Sequence, residues 1–229
     1  MHRSVSMRLV LSVGLLVILV ALVLSACSSG GGGEEQAKAR PLPEEHQELR
    51  PGEYRTEEFK PSASFRVGEG WSTSPPEDSD VLELEYGETA GLAFTTVQEV
   101  YKPTESGMPK VMEPPEDLVG WFQRHPYLKT SEPEPVTVGG VKGEQFDVLV
   151  EDMPQDSFGA CGRNCVDIAS LSSDEQLLEF REGKERRVIV LEDVKGSTVT
   201  IDFGSFVTDF EEFLPEAKKV VESVKWGDS

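Results

Sequence analysis

The sequence predicts an α+β domain, mostly antiparallel β-sheet with two helices packed on it. Three observations predict it. Several short segments alternate apolar and polar residues with period two, glycine-bearing turns separate them, and two stretches carry apolar residues at helical spacing.

The strand signals come in pairs. In "VLELEY", Leu82, Leu84 and Tyr86 share one face and Glu83 and Glu85 the other. "GLAFTTV" follows at hairpin distance through Gly87 and Glu88. "PVTVGGVKGEQFDVLVE" reads as a hairpin, with Gly139 and Gly140 suited to the positive φ of a tight primed turn and Phe146, Val148 and Val150 aligned on the second arm. In the pair "RRVIVLEDVKGSTVTIDFGSF", "VIVL" is apolar on both faces and belongs in the centre of a sheet. "TVTIDF" buries Val199, Ile201 and Phe203 and turns Thr198, Thr200 and Asp202 outward.

Two helices are expected. "EPPEDLVGWFQRHPYL" places Pro115 and acids in a first turn and Leu118, Trp121, Phe122 and His125 on one face, with His125-Pro126 as the stop. Arg124 and His125 at its C-terminus would complement the helix dipole as positive charges. "VTDFEEFLPEAKKVVESVKW" opens on a Thr208–Glu211 capping box. Phe210, Phe213, Leu214, Ala217, Val220, Val221 and Val224 form its apolar face, and Pro215 is expected to kink or restart it. Trp71 and Trp121 both adjoin regular pattern and read as core residues, with a binding surface as the alternative.

The N-terminus is a secretory leader in layout. His2, Arg3 and Arg8 precede an apolar run from Leu9 to Leu24, and small residues then lead into Cys27. The quartet "LSAC", Leu24 to Cys27, resembles the lipobox of bacterial lipoproteins. That resemblance implies a diacylglycerol thioether on Cys27, cleavage between Ala26 and Cys27, and a further fatty chain such as palmitate on the new amino group. An uncleaved membrane helix fits less well, because the run is short of the roughly 20 residues a span needs. Three segments follow: 1–26 as signal peptide, 27–55 as lipidated cysteine and tether, and 56–229 as one extracytoplasmic domain. "SSGGGGEEQAKARPLPEEHQELRPG" has no apolar periodicity and would span roughly 25–30 Å as a flexible chain. His46 falls inside it and reads as a solvated linker residue.

The chain carries 42 acids against 22 lysines and arginines, a formal charge of −20. Such a surface is repelled by nucleic acid, where Lys and Arg must neutralise phosphates. It also stands away from anionic headgroups, so the membrane is reached through the lipid anchor alone. Cys161 and Cys165, in "ACGRNCV", are exported with the chain and read as a disulfide. Their spacing also resembles the copper motif of Sco-type thioredoxin-fold proteins. That motif needs a following helix and a distant histidine, whereas "CVDIASL" is strand-like and His125 alone remains in the domain.

Catalytic patterns are sparse. The sequence contains no G-x-S-x-G, H-E-x-x-H, Walker loop or G-x-G-x-x-G after a strand. The acid clusters "PPEDSD" and "EDMPQD" offer carboxylate pairs, and "DSD" begins like a calcium loop without completing one. Most acids read as solvated faces, and His125 as structural.

The order of strands, the inserted "PEDLVGWFQRHP" helix, the V-T-V-G-G hairpin and the ending "FLPEAKKVVESVKW" resemble the PsbP-like α/β/α sandwich group, which includes lipoproteins of the LpqN type. The likeness spans roughly Phe59 to Trp226 and rests on layout. It implies an assembly, binding or retention role, and it assigns no functional residue. The expectation is therefore a monomeric, membrane-anchored, extracytoplasmic binding or accessory module for an envelope protein or component. No catalytic residue, metal or cofactor is assigned. The alternatives are a carboxylate-dependent hydrolase of envelope glycans and a weak divalent-cation binder.

Overall fold

The computed structural model describes residues 39–74, 77–103, 110–153, 161–171 and 177–227. The leader, Ala26, Cys27 and the glycine run lie outside them, as does the second half of "EDMPQD".

Strands β1 (Arg40–Pro41), β2 (Gly52–Arg55) and β3 (Ala63–Val67) open the fold, followed by β4 (Trp71–Ser74), β5 (Val81–Tyr86) and β6 (Ala90–Thr96). Short strands β7 (Glu99–Lys102) and β8 (Lys110–Met112) lead to helix α1 (Leu118–Gln123). After it come β9 (Leu128–Thr130), β10 (Glu134–Val138), β11 (Val141–Val150), β12 (Cys165–Ser170) and β13 (Leu177–Arg181). The chain closes with β14 (Lys184–Val194), β15 (Ser197–Phe206), helix α2 (Phe210–Glu222) and β16 (Lys225–Trp226).

The strands form three sheets. The central one has eight strands in the order β10-β11-β14-β15-β6-β5-β4, with β9 beside β11, and every pairing in it is antiparallel. A four-stranded sheet runs β1-β2-β3-β16, with β1 and β2 parallel, and a second runs β13-β12-β7-β8. Among the described residues the chain adopts the expected α+β class with two helices, with several sheets in place of one.

Period-two alternation decides which residues meet which layer. Leu82, Leu84, Leu92, Phe94, Ile189, Leu191, Val199, Ile201 and Phe203 point to one face. There they join Phe65, Val67 and the apolar stripe of α2 in a single buried cluster. Phe146, Val148, Val188 and Val190 point to the other face, against Leu118, Val119 and Phe122 of α1 and Val166, Ile168 and Phe180 of the smaller sheet. Burying each such large apolar side chain contributes roughly 1.5–3 kcal/mol. "VIVL" thus sits centrally, as its two-sided pattern predicts.

The second layer overturns one expectation. Thr200 and Asp202, read as outward-facing, are buried at 1% and 0% exposure. The alternation of "TVTIDF" is correct, but both faces of this strand are covered.

The segment read as tether departs from its expected form from Ala39 onward. Leu42, Leu49 and Tyr54 enter the first core cluster, and the backbone N–H of Leu49 donates to Trp71 O at 2.7 Å. His46, exposed as expected, is held by Nδ1 at 2.7 Å from Thr73 O. Single leucines flanked by prolines and glutamates carry no periodic signal, although each fills a core site.

The helices keep their type and lose some terminal detail. Helix α1 starts at Leu118, after Pro115, with Asp117 as N-cap accepting from Gly120 N at 2.7 Å. In α2 the Thr208–Glu211 box does not form. Asp209 is the N-cap and makes no side-chain cap bond, while Thr208 Oγ1 bonds the Asp209 carboxylate at 3.0 Å. The helix starts one residue later than the box requires, and Pro215 lies within one continuous span. Gly139 and Gly140 have φ of 56° and 84°, the two positive values that a primed turn demands.

Leu49 gives the direct check on where the folded unit begins. Leu49→Ala should cost about 2–5 kcal/mol in urea unfolding. A change within a few tenths of a kcal/mol would mean that residues 39–55 are a tether.

Candidate functional site

Three small residues decide where a site forms. On the second face of the central sheet, one cross-strand row runs Glu85, Gly91, Gly204, Arg186 and the next runs Glu83, Ala93, Asp202, Val188. Gly91, Ala93 and Gly204 put almost no side chain above the sheet. At Gly204 a Cβ would stand 2.4 Å from Glu185 O and 2.5 Å from Arg186 Cγ, so only glycine lets β14 and β15 approach with Arg186 where it is. The bare floor leaves a cleft of about 560 Å³ across β5, β6, β15 and β14, within the size range of small-molecule sites.

The walls differ in sign. Glu83 and Glu85 of β5 and Glu88 of the following turn line one side, and Lys184 and Arg186 of β14 line the other. Arg186 is fixed from below. Its Nη1 bonds Asp202 Oδ1, its guanidinium lies 5.3 Å over the Phe180 ring, and its side chain is 23% exposed against 1% for Asp202. Asp202 Oδ2, Arg186 Nε and the hydroxyls of the cross-strand pair Thr95 and Thr200 have no hydrogen-bond partner among the described residues. This buried polar patch lies on the same sheet face as the cleft.

The charges perturb one another. Burial pushes the Asp202 carboxyl above its ordinary range, with Arg186 opposing the shift. Glu83 keeps a surface open to the cleft, yet the protein around its carboxylate raises its pKa, and the Asp202 charge adds to the rise. Lys184 is lowered, first by partial burial and then by the cations Arg186 and Arg181. Its Nζ lies 5.5 Å from the Phe206 ring.

The other residues singled out from the sequence lie elsewhere. Cys161 and Cys165 form a disulfide with Cα atoms 6.2 Å apart, closing a turn in which Asn164 has φ of 61°. Asp167 Oδ1 accepts the Cys161 N–H at 2.9 Å, and the strand β12 begins at Cys165 where the Sco-type reading needed a helix. Among the described residues one group of potential metal ligands converges, Cys161, Cys165 and Glu179, but its two sulfurs are bonded to each other. Trp71 is fully buried between Tyr86 and Phe213. Trp121 packs on Phe122 and His125. Glu77, from the first acid cluster, is not merely solvated. Its Oε1 accepts the backbone N–H groups of Glu57, Glu58 and Phe59 at 2.9, 3.0 and 2.9 Å.

His125 is structural, but not as a dipole-complementing cation. It is 5% exposed, its Nδ1 lies 3.3 Å from the Tyr127 N–H, and burial lowers its pKa to about 4. The ring is neutral at pH 7, and accepting at Nδ1 puts its proton on Nε2. Arg124 instead reaches back to Asp117 at 3.1 Å.

The cleft is not legible in the sequence because alternation puts Glu83 and Asp202 alike on polar faces, and only the fold shows that Glu83 stays exposed while Asp202 is covered. Glycines at 91 and 204, inside otherwise strand-like segments, were the available signal.

No protein-family model matches this chain, and no curated protein does. Among solved structures it is similar to the cyanobacterial PsbP (CyanoP) of Synechocystis sp. PCC 6803, with a TM-score of 0.41 and 11% identity over 78% of this chain and 95% of that one. It is also similar to LpqN of Mycobacterium tuberculosis, described as involved in cell envelope biogenesis. That likeness has a TM-score of 0.32 and 10% identity over 80% of this chain and 91% of that one. At these values no residue's role passes from either protein to this chain.

The neutral His125 makes a pH prediction. Between pH 6.5 and about 4 the unfolded chain binds a proton there that the folded chain refuses, so stability falls as pH falls, by up to about 3 kcal/mol from this group. His125→Phe should flatten the pH dependence of urea unfolding across that window. An unchanged slope would mean that His125 titrates normally in the fold.

Proposed function

We propose that this chain is a lipid-anchored extracytoplasmic lipoprotein with a PsbP-like folded unit, acting as a binding or accessory module for a component of the cell envelope. The charged cleft on the central sheet is its contact surface. That cleft carries the reading, because it opposes an acidic and a basic wall over a floor almost free of side chains. Leu24-Ser25-Ala26-Cys27 supports the anchor, and the Cys161–Cys165 disulfide suits an oxidising compartment outside the cytoplasm. Among the described residues no helix is long and apolar enough to cross a membrane.

Binding suits the cleft better than glycan hydrolysis. Glycoside chemistry places two carboxylates on opposite sides of the scissile bond, whereas here Glu83 and Glu85 share one strand and face Lys184 and Arg186. Glu83 has the raised pKa of a general acid, but no second carboxylate stands across from it in the cleft lining.

A photo-crosslinking side chain at Thr89, on the cleft rim, tests the reading in intact cells producing the full-length protein. The same group at Glu222, exposed at the end of α2, is the control. A reproducible adduct formed at Thr89 and absent at Glu222 is expected. Cys27→Ser should leave an unprocessed, unlipidated precursor and abolish the adduct. Equal adducts at both positions would remove the cleft from the account, and a mature acylated Cys27→Ser product would remove the anchor.

A further inference from the structure

The two walls of the cleft are not interchangeable, and each holds a charge, Glu83 on one and Lys184 on the other, without a direct ion pair among the described residues. Lys184 makes no ion pair within 4 Å among the described residues, and the charges acting on it are two arginines and, more weakly, Glu179. Arg181, the outer of these, is engaged by Glu179, and Arg186 by Asp202. Across the floor, among the described residues, the Glu83 carboxylate accepts one long hydrogen bond, from Ser74 Oγ at 3.4 Å. The acids Asp202 and Glu85 act against its charge, and Arg186, already bonded to Asp202, offsets them only in part. An anion beside Lys184 and a cation beside Glu83 would each relieve this crowding, and one guest bearing both would relieve both.

The strand geometry sets the length of that guest. Glu85 and Arg186 end a row of four strands, three inter-strand steps or roughly 14 Å between Cα atoms. Arg186 leans toward Asp202 on the adjacent strand, so after contact distance at each end the guest's own charges stand at most roughly 8–10 Å apart, the length of an extended tripeptide. The row between them is Gly91 and Gly204, with Ala93 beside Gly91 in the next row, and this part of the floor suits a flat, extended backbone.

We propose that the cleft binds short peptide-like zwitterions, with the ammonium against Glu83 and Glu85 and the carboxylate against Lys184 and Arg186. This inference rests on the reading of the cleft as the contact surface. It adds the chemical class and the direction in which the ligand lies.

Calorimetric titration of the full-length lipoprotein in detergent micelles tests it, with triglycine as probe. N-acetyl-triglycine removes the cation, triglycine amide removes the anion, and glycerophosphoethanolamine supplies a zwitterion of much shorter charge spacing. Triglycine should bind saturably, and capping either end should weaken it about fivefold or more. Glu83→Gln should weaken triglycine but not N-acetyl-triglycine, and Lys184→Met should weaken triglycine but not triglycine amide. Those paired insensitivities are what a general loss of folding would not produce.

Equal binding of the capped peptides overturns the inference and leaves the contact surface in place. Tighter binding of glycerophosphoethanolamine overturns it too, because the span would then be wrong. No binding of any probe, with the Thr89 adduct still formed, overturns the inference alone. No binding and no adduct overturn both.

Discussion

The charge of Asp202 constrains much of the second layer. Its side chain is 1% exposed in the middle of the central sheet, and an isolated carboxylate there would cost several kcal/mol. Its bonded partner among the described residues is Arg186, on the same sheet face of the adjacent strand and one row further along. The guanidinium can reach Oδ1 only by lying along the sheet. In that position it spreads over Phe180 at the margin of the covering layer. The pair therefore belongs to the core through Asp202 and to the surface through Arg186.

The two faces of the central sheet play different parts. On one, the apolar stripe of α2 and strands β2 and β3 cover the sheet with aromatic and aliphatic side chains, and Trp71, Phe94 and Phe203 are sealed there. On the other, a helix of six residues and a sheet of short strands cover Phe146, Val188 and Val190. Arg186 stands at the edge of this cover, and the bare floor of Gly91, Ala93 and Gly204 lies next to it. The cleft thus arises from incomplete cover on one face, with stability supplied largely by the other. Such a division leaves Glu83, Glu88 and Lys184 open to change without loss of the fold, whereas Arg186 is tied to Asp202.

Alternation made the strand pairs, their turns and the amphipathic closing helix legible, because period two and period 3.6 are local properties. Val199, Ile201 and Phe203 are buried for that reason. Thr200 and Asp202 were misplaced because alternation separates two faces without saying whether the polar one is covered. A threonine or an aspartate looks the same in sequence beneath a second layer. Leu42 and Leu49 were missed because an irregular segment can fill core sites with isolated residues, which no periodicity announces. The Thr208–Glu211 box failed for a subtler reason: the helix begins one residue later, where Asp209 already occupies the cap. The disulfide was legible from the spacing of Cys161 and Cys165 together with the expectation that the chain is exported. The cleft was not, since it joins Glu83 to Lys184 and Arg186 across the strands between them, a relation that only the fold supplies.

The central claim is that Asp202 and Arg186 act as one buried unit that sets the wall of the cleft. A double-mutant cycle in urea unfolding tests it most directly, with Asp202→Leu, Arg186→Met and the two combined. Each single change strands a charge or its partner, and Asp202→Leu or Arg186→Met should cost about 3–5 kcal/mol. The double variant, apolar on both sides, should recover most of that loss. A double variant as unstable as the sum of the two singles would contradict the account, because the residues would then be contributing independently.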